Sequence, residues 1–233
     1  MFEQGKGENR MTYEEALRHY RSAVAAADAD AFVAPLAGAD DPEALLWAAW
    51  QTVTSFAAEA KSDQELARLS ALVAAVQGQE LSGVRVWELR VFTDLPVLGA
   101  QLREEWNGGR PQAEWTALNS FAARLTAAGT HDALLLGLWT ISSALETFEG
   151  PAENLPAAVE WFTQAGDRLA GAAIHGRTYA ARLGELAAQA GVTEPGFSVP
   201  RWAFWRSRLQ TLSREGFKAI KRYDARIVSG GKK

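Results

Sequence analysis

The chain has 233 residues, with 24 Lys+Arg against 28 Asp+Glu and no cysteine. At 48% apolar and 22% charged residues it is too apolar for a disordered chain, and its length suits a single domain. The lack of cysteine excludes disulfides, thiolate metal sites and a cysteine nucleophile, and leaves the cytoplasm as the default compartment.

Residues 1–11 read as a flexible N-terminal tail without the apolar core of a signal peptide. Thr12 and Glu15 then form a capping box, and Ala16, Leu17, Tyr20, Val24 and Ala27 carry a helical period. Asp40-Asp41-Pro42 opens a second helix bearing Leu45, Leu46, Ala49, Trp50, Val53 and Phe56. Ser62-Asp63 opens a third, which ends at Gly78. Residues 84–92 alternate like a short strand, but a lone strand has no partner, so they are expected to form an irregular or helical connector.

Asp94-Leu95-Pro96 marks the next helix start, ending near Trp106-Asn107-Gly108. Helices follow over 111–128, 131–147 and 155–170, with 171–190 continuing or kinking through Gly171, Gly176 and Gly184. Ser198-Val199-Pro200 opens a last helix to Tyr223, and 229–233 read as a loose tail. The expected architecture is all-α: one compact array of about eight to ten helices over residues 12–228. No run of about 18 apolar residues is present, so no membrane span is expected.

Charge is uneven. Residues 201–233 hold ten basic groups against Glu215 and Asp224. Trp202, Trp205, Leu209 and Leu212 form an apolar stripe there, so this basic segment is expected to pack on its own acidic domain. The alternative is contact with an anionic partner or membrane surface. No nucleic-acid-binding motif accompanies the charge, so nucleic acid is not an expected partner.

Catalytic signatures are missing. His19, His131 and His175 lack paired metal spacing, and no metal site is expected. Asp40-Asp41 with Glu43 has the wrong offset for a magnesium-binding aspartate cluster and fits a helix cap. There is no phosphate-binding loop, dinucleotide fingerprint or nucleophile elbow, so no cofactor is expected.

Tryptophan is the compositional excess, with nine residues. Large rings usually fill a helical core, but several can also line a pocket for a flat apolar ligand. Trp115, Trp139 and Trp161 lie on helical faces that also carry polar side chains. Asn119 follows Trp115 by one turn, Ser142 and Glu146 continue the Trp139 line, and Gln164, Arg168 and His175 lie on the side of Trp161. These make the candidate site: Glu146 as an acid with a burial-raised pKa, His175 as a base, and Trp115, Asn119, Trp139, Ser142, Trp161, Gln164 and Arg168 as substrate contacts.

Five blocks stand in a specific order. They are Asp94-Leu95-Pro96 leading to Trp106-Asn107; Trp115 to Thr126; Leu138-Trp139 with Ala144-Leu145-Glu146; Ala158-Val159-Glu160-Trp161 with Ala165 to Leu169; and Arg201 to Leu209. Over residues 40–215 this order resembles a fungal family of helical proteins, domain of unknown function 3632. The resemblance implies an all-helical fungal protein of the cytosol and carries over no catalytic residues. By analogy of context alone, it suggests a cofactor-independent enzyme or carrier of secondary metabolism that shapes an apolar small molecule for cyclisation, isomerisation or a pericyclic step. The contrasting expectation is a non-catalytic interaction module whose basic C-terminal helix docks an acidic partner or a second copy, giving a homodimer.

Overall fold

Local capping chemistry sets where the first long helices begin. The Thr12 hydroxyl accepts from Glu15 N–H and the Glu15 carboxylate accepts from Thr12 N–H, starting α1 (Tyr13–Ala26). Asp41 caps α3 (Pro42–Glu59) with Pro42 in its first turn, and Ser62 caps α4 (Asp63–Gln77), which stops at Gly78. Between α1 and α3, the Asp28 carboxylate accepts from Ala31 N–H and starts a short α2 (Ala29–Val33), which runs into a 3₁₀ turn over Ala34–Leu36. The sequence reading did not anticipate these two short pieces.

The computed structural model describes residues 11–149 and 151–230. Residues 1–10 of the expected N-terminal tail and 231–233 of the expected C-terminal tail lie outside them.

The connector expected over 84–92 is a two-stranded antiparallel hairpin, β1 (Arg85–Val86) paired with β2 (Leu89–Arg90). Its partner is its own continuation, two residues per strand, which is too short for alternation to reveal. Trp87 and Glu88 form the turn at φ 53° and 62°, the left-handed geometry of a two-residue hairpin loop. The next helix, α5 (Leu98–Asn107), begins later than Asp94-Leu95-Pro96 suggests. Asp94 does not cap it, because its carboxylate accepts from the Arg90 backbone and guanidinium instead.

Then come α6 (Gln112–Ala128), ending at Gly129 in the left-handed region, and α7 (Leu134–Leu145). Next is the 24-residue α8 (Pro151–Ile174), with a non-helical Ala165 inside it. Gly166 follows the kink, and the Tyr223 ring lies where a Cβ there would stand. Residues 175–184 are irregular and precede α9 (Glu185–Gln189).

The single C-terminal helix expected to reach Tyr223 is instead α10 (Val199–Leu212), α11 (Arg214–Lys221) and α12 (Asp224–Gly230). Ser213 breaks it: extended at φ −151°, it closes α10, and its hydroxyl accepts from Gly216 N–H to cap α11. Ser229 and Gly230, expected in the tail, belong to α12.

The fold is the all-helical array expected, with twelve α-helices among the described residues, more than the eight to ten expected because α2, α9, α11 and α12 are short. Helix α3 packs against α1, α4, α5 and α6, and α8 packs against α6, α7, α10, α11 and α12. Helix α6 thus touches both packing centres, and one continuous apolar cluster runs from Ala16 to Ile227. Among the described residues no helix is long and apolar enough to cross a membrane.

Candidate functional site

Helix α7 ends on Glu146, and the four-residue step from Ser142 puts both side chains on one face. Helix α10 starts behind the Ser198 cap, and the same step aligns Arg201 with Trp205. These two faces meet on the Glu146 carboxylate. Oε1 accepts from Arg201 Nε at 2.6 Å and Trp205 Nε1 at 2.6 Å. Oε2 accepts from Arg201 Nη2 at 2.8 Å, Ser142 Oγ at 2.7 Å and Gly184 N–H at 2.9 Å. Both charged side chains are 0% exposed. Arg201 Nη1 also donates to the carbonyls of Pro195 and Gly196, so the pair straps the segment before α10 onto the end of α7.

This geometry corrects the acid role expected of Glu146. Burial pushes its pKa up, but the Arg201 guanidinium and the Gly184 and Ser142 donors outweigh burial and hold it below the usual carboxylate value. The group is an ionised anchor, not a carboxylic acid poised to give up a proton.

Beside this anchor lies an open groove of about 500 Å³. Helix α5 contributes Arg103, Trp106 and Asn107, and α7 contributes Trp139, Ser142 and Ser143. Thr147 and the stretch Arg182–Gly184 complete its wall, and among the described residues no acidic side chain lines it. The Trp106 and Trp139 rings lie 5.5 Å apart at 51°, both half-buried. The Arg103 guanidinium carbon stands 5.4 Å from the Trp139 ring centroid, within cation–π range.

Trp106 is held from behind by a hydrogen-bond relay. Its Nε1 donates to Thr140 Oγ1 at 3.0 Å, and Thr140 donates to Asn119 Oδ1 at 2.7 Å. That oxygen also accepts from Trp161 Nε1 at 2.9 Å, while Asn119 Nδ2 donates to the Trp115 carbonyl. Asn119 and Trp161, expected to touch substrate, are therefore buried and bonded to each other. Trp161 lies over Gly137, whose missing side chain makes room for the indole. Trp115 packs against Trp106 at 6.0 Å and does not line the groove. Of the expected contacts, Trp139 and Ser142 line it.

The remaining candidates lie elsewhere. Gln164 donates to Glu160, which also accepts from Ser120 across the α6–α8 seam. Arg168 and His175 are exposed and line a separate depression of about 330 Å³ with Asp167, Arg177 and Arg226. That depression shares no lining residue with the groove, so Glu146 and His175 are not brought together as an acid–base pair.

Sequence reasoning missed Arg103, Trp106 and Arg182 as site residues. Trp106 lies in the last turn of its own helix, and the two arginines come to the same groove as Trp139 only through tertiary packing, so no local spacing signals them. The partners of Glu146 were half visible, because the Trp202–Trp205–Leu209 stripe marked the buried face of α10.

A family model matches residues 50–209, two thirds of the chain. The chain belongs to the family described as Protein of unknown function (DUF3632). The family segment contains every residue of the groove and every partner of Glu146, and leaves out α1, α2, α11 and α12. No curated protein and no solved structure matches the chain.

Proposed function

We propose that this chain is a cofactor-independent small-molecule enzyme or carrier that takes a flat, largely apolar ligand in the Trp106–Trp139 groove. The observation that carries this reading is the pair of half-buried indoles 5.5 Å apart, with one ring fixed by the Thr140–Asn119–Trp161 relay. Fixed aromatic faces bind a planar molecule without ordering flexible side chains first. Asn119 and Trp161 take part as positioning residues behind the wall. The reactions that suit such a surface are conformational ones of secondary metabolism: a cyclisation, isomerisation or pericyclic step in which holding one conformer lowers the barrier.

The alternative, an interaction module built on the basic C-terminus, has lost several of its cations to internal partners. Arg201 is buried on Glu146, Arg206 pairs with Asp224, Arg208 donates to the Leu145 carbonyl and Arg226 pairs with Asp167. This favours packing on the chain's own body.

Native mass spectrometry of freshly purified protein, set against its denatured mass, tests the groove reading. We expect a few hundred daltons of bound material that is lost on denaturation and reduced in Trp139→Ala at unchanged fold. Bound mass that Trp139→Ala leaves untouched would remove the groove from the function.

A further inference from the structure

Resting on the groove as the binding site, the charge around it narrows the ligand class. We infer that the groove selects an aromatic or polyunsaturated acid, with its carboxylate held by Arg103 and Arg182 and its apolar body on Trp106 and Trp139. Both arginines line the groove, both are exposed, and among the described residues no acidic side chain lines it with them. Among the described residues neither side chain has a hydrogen bond or an ion pair, and the Arg103 guanidinium stands over the Trp139 ring face.

The other cationic depression makes the contrast. There Arg226 pairs with Asp167 and Arg177 pairs with Asp132, so two of its three guanidiniums are already neutralised. In the groove the two positive charges are left for a ligand. Nor does the buried Glu146 beneath it cancel them, since its charge is spent on Arg201.

The guanidinium fork suits a carboxylate, which it can bind through two parallel N–H donors. Arg103 stands over the Trp139 ring face, so the charge that would hold a carboxylate lies against the same aromatic wall that would hold a conjugated ring or polyene. The ligand's two ends therefore have two kinds of partner: rings that care about shape and arginines that care about charge.

The test uses the 233-residue chain and two probes of one shape, 2-naphthoate and its neutral isostere 2-naphthamide. Binding is followed by the indole N–H resonances of ¹⁵N-tryptophan-labelled protein, with Trp106 and Trp139 assigned from Trp→Phe variants. We expect both probes to shift those two resonances, with naphthoate binding about tenfold more tightly. Raised salt should narrow that gap.

Arg103→Gln and Arg182→Gln, both at exposed positions, should each reduce naphthoate affinity relative to naphthamide and together erase its advantage. Equal binding of the two probes at Trp106 and Trp139 would overturn the acid inference and leave the groove reading standing. A preference for naphthoate that survives both arginine changes would place the anion elsewhere and overturn it too. If neither probe moves the Trp106 or Trp139 resonance, the groove reading itself fails and takes the inference with it.

Discussion

Glu146→Gln is the sharpest probe of how this fold is held. The substitution keeps the side chain's shape but removes its charge and replaces one carboxylate oxygen with an NH₂ group. Five donors face that carboxylate. With the amide oxygen on the Arg201 Nε and Trp205 side, the NH₂ meets Arg201 Nη2 and Gly184 N–H, both of which can only donate. Flipped, it meets Arg201 Nε and Trp205 Nε1, which likewise only donate. In either case Arg201, 0% exposed, keeps its charge and loses its counter-charge. Breaking a buried pair this way costs about 3–5 kcal/mol, a large share of the ~5–15 kcal/mol that holds a typical native state. For a chain of this size each kcal/mol lowers the melting temperature by about 2–4 °C, so we expect a drop on the order of 10 °C in a calorimetric scan. Arg201→Met should be comparably damaging. The double variant should be less damaged than the two losses added together, by about 2–3 kcal/mol, because it leaves no unpaired charge. A drop under about 3 °C for Glu146→Gln, or strict additivity in the double variant, would refute the reading of this pair as the anchor.

The same packing sets three further outcomes. The Glu146 carboxyl titrates below its ordinary value of 4.5 in the folded chain, so its stabilisation is complete above the unfolded value and is lost as pH falls through the folded one; urea unfolding from pH 7 downward should show an acid limb below about pH 4.5 that is smaller in Glu146→Gln. Trp161→Ala should destabilise by about 3–5 kcal/mol, since a fully buried indole and its bond to Asn119 are lost. Trp139→Ala, at a half-buried ring, should cost far less stability and remove probe binding; equal stability losses in chemical denaturation would contradict this division. Gly137→Ala puts a Cβ 2.7 Å from Trp161 Cε3, so the gain of about 1 kcal/mol in helix propensity should be outweighed by about 1–3 kcal/mol of overpacking, and a variant that melts higher than wild type would contradict the packing.

What was legible in the sequence was what short-range chemistry decides. The Thr12, Asp41 and Ser62 caps and the Gly78 stop sit where side-chain and backbone groups a few residues apart satisfy one another. Where a capping group had a competing partner, the reading slipped. Asp94 was spent on Arg90, and Ser213, inside what looked like one amphipathic helix, captured Gly216 N–H and split it. The site was less legible because the residues that make it lie far apart in the chain. Ser142–Glu146 and Arg201–Trp205 each follow helical spacing, yet nothing local says that the two faces meet. Burial of Glu146 was foreseeable from its apolar face, but the sign of its pKa shift depended on an arginine 55 residues away.

The anchor and the groove are parts of one construction. Ser142 and Gly184 both donate to Glu146, and both line the groove. Gly184 has no room for a side chain, since a Cβ there would lie 2.3 Å from Glu146 Cβ. Leu186 N–H adds a bond to the Glu146 carbonyl, and Phe197 N–H bonds the Arg177 carbonyl, which closes the irregular segment at its base. The segment is thus fixed near its start at Arg177 and at its end at Gly184, two residues beyond Arg182. That explains how a side chain on an irregular stretch can form part of the groove wall: one backbone bond to the buried carboxylate and one to the Glu146 carbonyl hold the main chain in place. The two arginines reach the groove by different routes, Arg103 from the regular helix α5 and Arg182 from a strap that depends on Glu146. A buried acid that looks, from its sequence position, like a proton donor instead fixes the main chain two residues from a groove arginine.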